Sequence, residues 1–465
     1  MAALAGVNVE TLRYYERRGL LPRPDRDPSG HRRYGEDTIR FLRAIKEAQE
    51  VGFTLAEIAE YLGAAPRSGS PTETLRVRMA AKIDEIDSRI ANLRRMRDEL
   101  ARVVGCACDS LDHCTCGAGY LARRGQESPA RPPLLHVTNG ESAGNTLRRT
   151  SLGGAVLPWS DVLHEGPVPA VPRAELLRTR AAFLSGCGWG GRRAIVSSLL
   201  RRDSQFREAL GDGRQVVLWF EHDLYDQLQL VDALALAAGA GRAPDLIVVD
   251  SFPGRPSFRG LGELTADELE TLWPDRRPAL PETLAAARAA WDAVRAPDPV
   301  ALVGWANGKG DAQHLPLFAA AAERLLEELP APRTGLSGTE RRALEAVAAG
   351  ARTPPAAFLA AQELERAPFL GDTWFFRTLA GLGSGAVRLV ETDEREPLPA
   401  PPPLGDGRSF AALRLRLTAE GRRVLGGKAD RIDLLGVDRW IGGTHVTADN
   451  AWRWDPARRR LRPPP

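Results

Sequence analysis

Three groups of residues in this 465-residue chain have the types and spacing to do chemistry. The first is a basic set: Thr11, Arg13, Tyr14, Arg17 and Arg18, followed by His31, Arg32, Arg33 and Tyr34. Guanidiniums bind phosphate oxygens, and a few neighbouring side chains can touch base edges. The second is Cys106, Cys108, Cys114 and Cys116 in one short loop. Thiolates at this density suit soft metals, because sulfur ligands select Cu(I), Zn or iron–sulfur iron. The third is a series of polar clusters, each placed just after an apolar run. They are Asn139, Ser142 and Asn145; Asp161, His164 and Glu165; Glu221, His222 and Asp223; and Asp250. Acid and imidazole groups of this kind could hold a divalent metal or perform acid–base chemistry. Ser142 and Asn145, at a helix N-terminus, could offer backbone N–H groups to a phosphate or carboxylate. Plainer readings stand beside these: Ser142 as a helix N-cap, and Glu221–Asp223 as a loop capping the next helix.

The elements around the basic set suit DNA. A short helix presents Arg13, Tyr14, Arg17 and Arg18, and Pro22 and Pro24 break it. The turn Pro28-Ser29-Gly30 leads into His31–Tyr34, which reads as a hairpin wing. A helix plus a basic wing can reach a major groove and the phosphates beside it. The string Thr11-Leu12-Arg13-Tyr14-Tyr15-Glu16-Arg17, then Gly19-Leu20-Leu21 and later Gly30, Arg32 and Tyr34, resembles the winged helix-turn-helix of MerR-type transcriptional regulators. That resemblance covers about the first quarter of the chain. It implies a homodimer that binds double-stranded promoter DNA between promoter elements. RNA polymerase is then a partner, and activation proceeds by distorting the DNA in response to an effector. The family has a full first helix ahead of Gly6, whereas only about half of one precedes it here, so a true start upstream of Met1 is expected.

Residues 1–63 then form the DNA-binding domain. Within it Ile39, Leu42, Ile45 and Ala48 share a helix face, and Thr54 with Glu57 forms a capping box. A Pro/Ser/Gly linker follows. In 72–104, Met79, Ile83, Ile86, Ile90, Leu93, Leu100 and Val104 recur at three- and four-residue steps, with Arg97 interrupting, as in a coiled-coil seam. The resemblance makes this the antiparallel dimerisation helix; packing against the rest of the same chain is the alternative.

The cysteine-rich loop, 105–117, is where metal-sensing members of the family bind their effector. Cys106 and Cys114 enclose a loop similar in length to that of the copper sensors, which hold Cu(I) between two thiolates. Divalent sensors add a cysteine at the start of the dimer helix, and Ser70–Glu73 supplies none. A 2Fe–2S cluster is the weaker option: the redox-sensing pattern expects a cysteine at Val103, so Cys116 would have to substitute. A relic loop that no longer senses metal remains open.

Gly-, Arg- and Pro-rich sequence over 118–133 marks a domain boundary. Beyond it, strands at Leu134–Asn139, Ala155–Trp159, Val216–Phe220 and Leu246–Asp250 alternate with helices at Ser142–Leu152, about Arg173–Leu210 and Leu224–Ala238. The reading is an α/β domain at 134–330 with a mainly parallel sheet, its ligand pocket beyond the strands' carboxyl ends. The strings HVTNGESAGNTLR, VLPWSDVLHEGPVP and LWFEHDLYDQLQL resemble an uncharacterised bacterial domain-of-unknown-function family, which implies an α/β fold and supplies no activity. No glycine-rich nucleotide-binding string appears. A smaller α+β region, 336–465, follows, with a helix near Thr339–Ala349, a strand at Val387–Val390, packed aromatics near Trp440 and Trp454, and a disordered basic tail at Arg458–Pro465.

The fold class is thus multidomain α and α/β. Net charge is only +3, from 63 Lys and Arg against 60 Asp and Glu, so DNA affinity must come from local clustering. There is no bilayer-spanning run and no signal peptide, and the five cysteines are a poor disulfide framework, so the expected place is the bacterial cytoplasm. The leading expectation is a regulator rather than an enzyme. The alternatives are an enzyme or small-ligand receptor built on the α/β domain, and a C-terminal half that only mediates partner contacts.

Overall fold

The computed structural model describes residues 134–464 except Gly241, Ser257 and 401–407, together with Asp25, Arg26, Arg32, Arg33, Thr38 and Leu42. The chain divides into two compact units, Met1–Pro129 and Ala130–Pro465. In the first, β1 (Asp25–Arg26) and β2 (Arg32–Arg33) pair antiparallel, Asp25 opposite Arg33; the expected turn Pro28–Gly30 lies outside the described residues. Thr38 and Leu42 are helical and buried, one turn apart on a shared face. Thr11, Arg13, Tyr14, Arg17, Arg18, His31, Tyr34, the helix over 72–104 and the four loop cysteines lie outside the described residues.

The second unit is built on a five-stranded sheet of order β4-β3-β5-β6-β7. Its strands are β3 (Leu134–Thr138), β4 (Ala155–Pro158), β5 (Gln215–Glu221), β6 (Asp245–Val249) and β7 (Arg277–Pro278). The first four are parallel, and only the short edge strand β7 runs antiparallel. The helices threaded between them are α1 (Glu141–Leu147), α2 (Arg173–Gly186), α3 (Arg192–Gly211), α4 (Leu224–Ala237), α5 (Ala266–Thr271), α6 (Pro281–Arg295), α7 (Val300–Ala306) and α8 (Phe318–Leu326). Alternation along β5 explains the layering. Val216, Leu218 and Phe220 pack into one core with Leu228 and Leu234 of α4 and Ala290 of α6. Val217 and Trp219 face the other way, onto Leu147, Leu261 and Leu269. A strand covered on both faces must be apolar throughout, which is why VVLWF carries no period-two polar residue. Helix α1 is shorter than expected: it ends at Leu147, ahead of the positive-φ pair Gly153 and Gly154.

The smaller region adds α9 (Gly338–Ala348), α10 (Pro354–Glu363), α11 (Asp372–Gly383), a β8–β9 pair (Val390–Thr392 with Leu415–Leu417) and α12 (Ala419–Leu425). Strand β8 begins at the residue where the expected one ends. Ser337 and Glu340 form a capping box on α9, and Thr418 caps α12 by accepting from the Gly421 N–H at 2.9 Å. This region shares a core with the α/β layers, since Val162 and Leu184 pack with Leu344, Phe375, Val390 and Leu415. The hairpin β10–β11 (Asp438–Ile441 with Thr444–Thr447) seats its turn on the end of α6. Gly443 donates to the Val294 carbonyl at 2.8 Å, and Gly442, at φ +58°, leaves no room there for a side chain.

The basic tail is not disordered. β13 (Arg460–Arg462) pairs antiparallel with β12 (Arg453–Asp455). Arg459 donates to Asn307 at 2.9 Å, to Glu323 at 2.6 Å and to the Ala306 carbonyl. Composition made this stretch read as solvated, but Arg459 is spent on fixed acceptors of α8 and the end of α7, and Arg458 on Asp455 at 2.9 Å. Among the described residues no helix is long and apolar enough to cross a membrane.

Candidate functional site

Strand order reverses between β3 and β5, because β3 is followed by β4 on one side and the chain then returns to place β5 on the other. A crevice opens at such a reversal, beyond the carboxyl ends of the strands. Here it is filled by carboxylates. Asn139, just after β3, donates its side-chain amide to Asp226 at 2.7 Å. The other oxygen of Asp226 accepts the Glu221 N–H at 2.9 Å. Asp223 is the N-cap of α4, accepting from the Asp226 N–H at 2.8 Å. The Glu221 carboxylate accepts the N–H of Leu261, and Gln227 donates to the Glu221 carbonyl at 2.6 Å. Any side chain at Gly260 would collide with the Glu221 carboxyl group, so glycine permits this close crossing.

Glu221, Asp223 and Asp226 each place an oxygen within 4.8 Å of the others, and all three are buried. No Lys or Arg among the described residues pairs with them. Elsewhere the same fold pairs its buried acids. Arg173 holds both Asp203, at 2.6 Å, and Asp232, while Arg202 bonds Asp203 at 2.8 Å and lies over the Trp159 ring. The unpaired trio therefore carries strained electrostatics. Burial, then the neighbouring acids, push Glu221 and Asp223 well above the carboxylate range, and burial raises Asp226 too. Carboxyl groups so placed can share protons or, deprotonated, ligate a divalent cation.

A second set adjoins the first through Tyr225, whose hydroxyl donates to the Asn139 carbonyl at 3.4 Å. The Tyr225 ring stands edge-on to His164 at 5.7 Å, and Phe369 does so at 5.2 Å. His164 is 4 % exposed, and among the described residues neither ring nitrogen has a hydrogen-bond partner. Burial, aided by the Arg180 charge, lowers its pKa to about 3, so the imidazole is neutral. Asp161 is buried and paired with the fully buried Arg180 at 2.7 Å. Arg180 also donates to the carbonyls of Glu165 at 2.6 Å and Val162 at 2.9 Å. Burial raises the Glu165 carboxyl to about 7 against the pull of Arg439.

The structure thus joins Asn139, Glu221 and Asp223 in one cluster, and Asp161, His164 and Glu165 in the one beside it. It leaves out the others. Ser142 lies inside the first turn of α1, not at its cap; Gly140 is the cap, and the Ser142 hydroxyl reaches only the Gly262 carbonyl at 3.5 Å. Asn145 is exposed and accepts from Arg148 at 2.8 Å. A seven-residue helix with these residues turned to solvent is no phosphate cradle, which corrects that expectation. His222 is half-buried, stacked on Phe258 at 6.4 Å, and the Asp250 charge partly offsets the lowering of its pKa by burial. Asp250 itself is exposed. The reading of Glu221–Asp223 as a capping loop and the reading as a polar cluster both describe real contacts.

Sequence reading missed Tyr225, Asp226, Gln227 and Arg180. The available signal was α4 itself, where Asp226, Gln227, Gln229 and Asp232 interrupt an otherwise leucine- and alanine-rich helix and all are at most 2 % exposed. Polar residues with no solvated face to occupy must bond one another or a ligand.

Comparison with known proteins bears on the other end of the chain. The family described as MerR HTH family regulatory protein matches residues 1–65, and that described as MerR, DNA binding matches 39–103. No family matches the C-terminal part. A mercuric resistance operon regulatory protein of Pseudomonas fluorescens is 42% identical over 157 residues, 34% of this chain and 91% of that one. One from Bacillus cereus is 42% identical over 96 residues, 21% of this chain and 73% of the other. The crystal structure of the dual function transcriptional regulator MerR of Bacillus megaterium MB1 with mercury (II) ion is 32% identical, over 26% of this chain and 94% of that chain. Its TM-score of 0.21 is too low to compare folds.

Proposed function

From the premise that the chain belongs to the MerR family of regulatory proteins, through its N-terminal region, we propose a homodimeric transcriptional regulator that distorts promoter DNA in response to an effector. The observation that carries this is the pair of overlapping family matches that together span 1–103, on the segment that holds the basic string. Arg13, Tyr14, Arg17 and Arg18 contact the DNA from the recognition helix, aided by Thr11, with His31, Arg32, Arg33 and Tyr34 from the wing. The helix over 72–104 pairs two copies, so that two half-sites are read one or more helical turns apart. RNA polymerase engages the distorted promoter, and the setting is the bacterial cytoplasm. Smooth bending of a promoter costs roughly 1–6 kcal/mol, so an effector needs only a modest preference for one protein state.

The proposed effector is a soft metal ion held by Cys106 and Cys114, with Cys108 and Cys116 in reserve. The relatives are named for mercuric resistance, while the absence of cysteine at 70–73 favours two-thiolate Cu(I) binding. In vitro transcription from the protein's own promoter, with anaerobically purified protein and added Cu(I) or Hg(II) at fixed salt, tests this. Activation by either ion, lost in Cys106→Ser and Cys114→Ser, is the expected result. Promoter binding without any metal response refutes the cysteine loop as the sensor.

A second reading is supported by the three unpaired carboxylates at the strand-order reversal. Under it, the unit beyond residue 130 is an enzyme or small-ligand receptor, with the DNA-binding part as its regulator. Saturable binding of a compound by the full chain without turnover makes it a receptor, turnover makes it an enzyme, and a Glu221→Gln variant unchanged in both overturns the reading.

A further inference from the structure

Strand β6 has a neighbour on its outer edge along only part of its length. β7 pairs with Asp245 and Leu246 alone, so Ile247–Val249 have no strand beside them there. The face of β6 that carries Leu246 and Val248 is only half covered, whereas the corresponding face of β5 is fully buried. A groove of about 350 Å³ lies over it, between α4, the start of α6 and the loop Leu315–Leu317. That volume is within the range of small-molecule sites.

The floor of the groove is apolar: Leu230, Leu246, Val248 and Leu315. Its rim carries charge of both signs, with Asp250 and Asp275 against Arg277. All three are exposed, and among the described residues none has an ion-pair partner. Among the described residues, the Asp250 side chain accepts only the Ser251 hydroxyl, at 2.9 Å, and the Arg277 side chain donates only to the carbonyls of Pro274 and Arg276. Gln227 also lines the groove. Its Nε2 is committed to the Glu221 carbonyl, so Oε1 is the acceptor it can offer.

We propose that this groove is a binding site for a small zwitterion with an apolar body, of the class of apolar α-amino acids and their dipeptides. The ammonium group meets Asp250 and Asp275, the carboxylate meets Arg277, and the apolar side chain lies on Leu246, Val248 and Leu315. An apolar molecule without charge leaves the rim unanswered, and one with a single charge answers half of it. The site is separate from the carboxylate cluster at the strand-order reversal, and it does not depend on the regulatory reading. Gln227 touches both, and so offers a direct link between them.

Isothermal titration of the full chain with L-leucine and L-leucyl-L-leucine tests the site, with isoamylamine and 4-methylpentanoate as the singly charged comparators. Saturable one-site binding of at least one zwitterion is expected, weakened about tenfold or more for each comparator, which is about 1.4 kcal/mol per lost charge contact. Asp250→Asn and Arg277→Gln, both at exposed positions, should keep the wild-type melting temperature and weaken binding by a similar factor. Val248→Trp fills the floor without touching the rim and should abolish binding. Absence of saturable binding by both zwitterions would overturn the proposal, and so would equal affinity in Asp250→Asn and Arg277→Gln or for the comparators.

Discussion

Asn139 donates to Asp226 at 2.7 Å across the point where the strand order reverses, and so ties the end of β3 to the first turn of α4. The second oxygen of Asp226 takes the N–H of Glu221, the last residue of β5. One fully buried carboxylate therefore pins two adjacent strands and the helix that follows them.

Replacing Asn139 by Ala removes the only side-chain donor to that carboxylate among the described residues. An unsatisfied buried acceptor costs about 1–3 kcal/mol. The unfolding free energy from urea titration should fall by that amount, moving the midpoint down by the loss divided by an unchanged slope. A wild-type midpoint would show that Asp226 does not need the bond.

Stability should decline as pH rises above the ordinary carboxylate range. Glu221, Asp223, Asp226 and Glu165 all have raised pKa values in the folded chain. The folded protein then binds more protons than the unfolded one, and the stability present at low pH is lost as pH climbs through the folded values. Each proton so retained contributes a slope of about 1.4 kcal/mol per pH unit. Glu221→Gln, which keeps the shape without the charge, should flatten urea denaturation plotted against pH. A steeper plot would contradict the protonated trio.

His164 works in the opposite direction. Its folded pKa, near 3, lies below the ordinary imidazole value. The unfolded chain takes up a proton first, so stability present above about pH 6.5 is lost as pH falls toward the folded value. His164→Phe should remove this acid-side loss, since neither ring nitrogen has a bond to give up and Tyr225 and Phe369 already meet the ring edge-on. Melting temperatures followed below pH 6 would then vary less than in the wild type.

Arg180→Met should cost about 3–5 kcal/mol, because it strands Asp161 in the interior. Adding Asp161→Leu should recover part of this. Recovery stays incomplete, since the Glu165 carbonyl also loses the Arg180 donor and the Val162 carbonyl keeps only the Glu165 N–H. Chemical denaturation of the single and double variants measures both effects.

For the DNA-binding part, Arg17→Ala with Arg18→Ala should abolish specific promoter binding. The residual binding should have a log–log salt slope shallower by about 2, close to 0.9 for each phosphate contact removed. Fluorescence anisotropy over a salt series reads both quantities.

The alternation of apolar strands and helices beyond residue 134 was legible, because burial on both faces leaves β5 no freedom in composition. Asn139, Glu221 and Asp223 were legible for a related reason: polar residues cluster where an apolar run ends. Asp226 was not, since a polar residue inside a helix reads as its solvated face until the tertiary packing shows that α4 has almost none. Gly260 and Leu261 are distant in sequence from Glu221, and no local pattern announces their crossing. The final strand failed for the reverse reason. Arginine and proline suggested solvent, but the acceptors that fix Arg459 lie on α8 and at the end of α7, far back in the chain.

That last distance also governs how the unit is made. Asn307 and Arg459 are bonded across 152 positions. At roughly 5–20 residues per second of synthesis, the helices near Asn307 and Glu323 emerge on the order of ten seconds before the arginine that fastens them. Until then their acceptors lack this arginine. A nascent chain arrested before Arg459 should therefore be captured by chaperones and cleaved by proteases that ignore the finished protein.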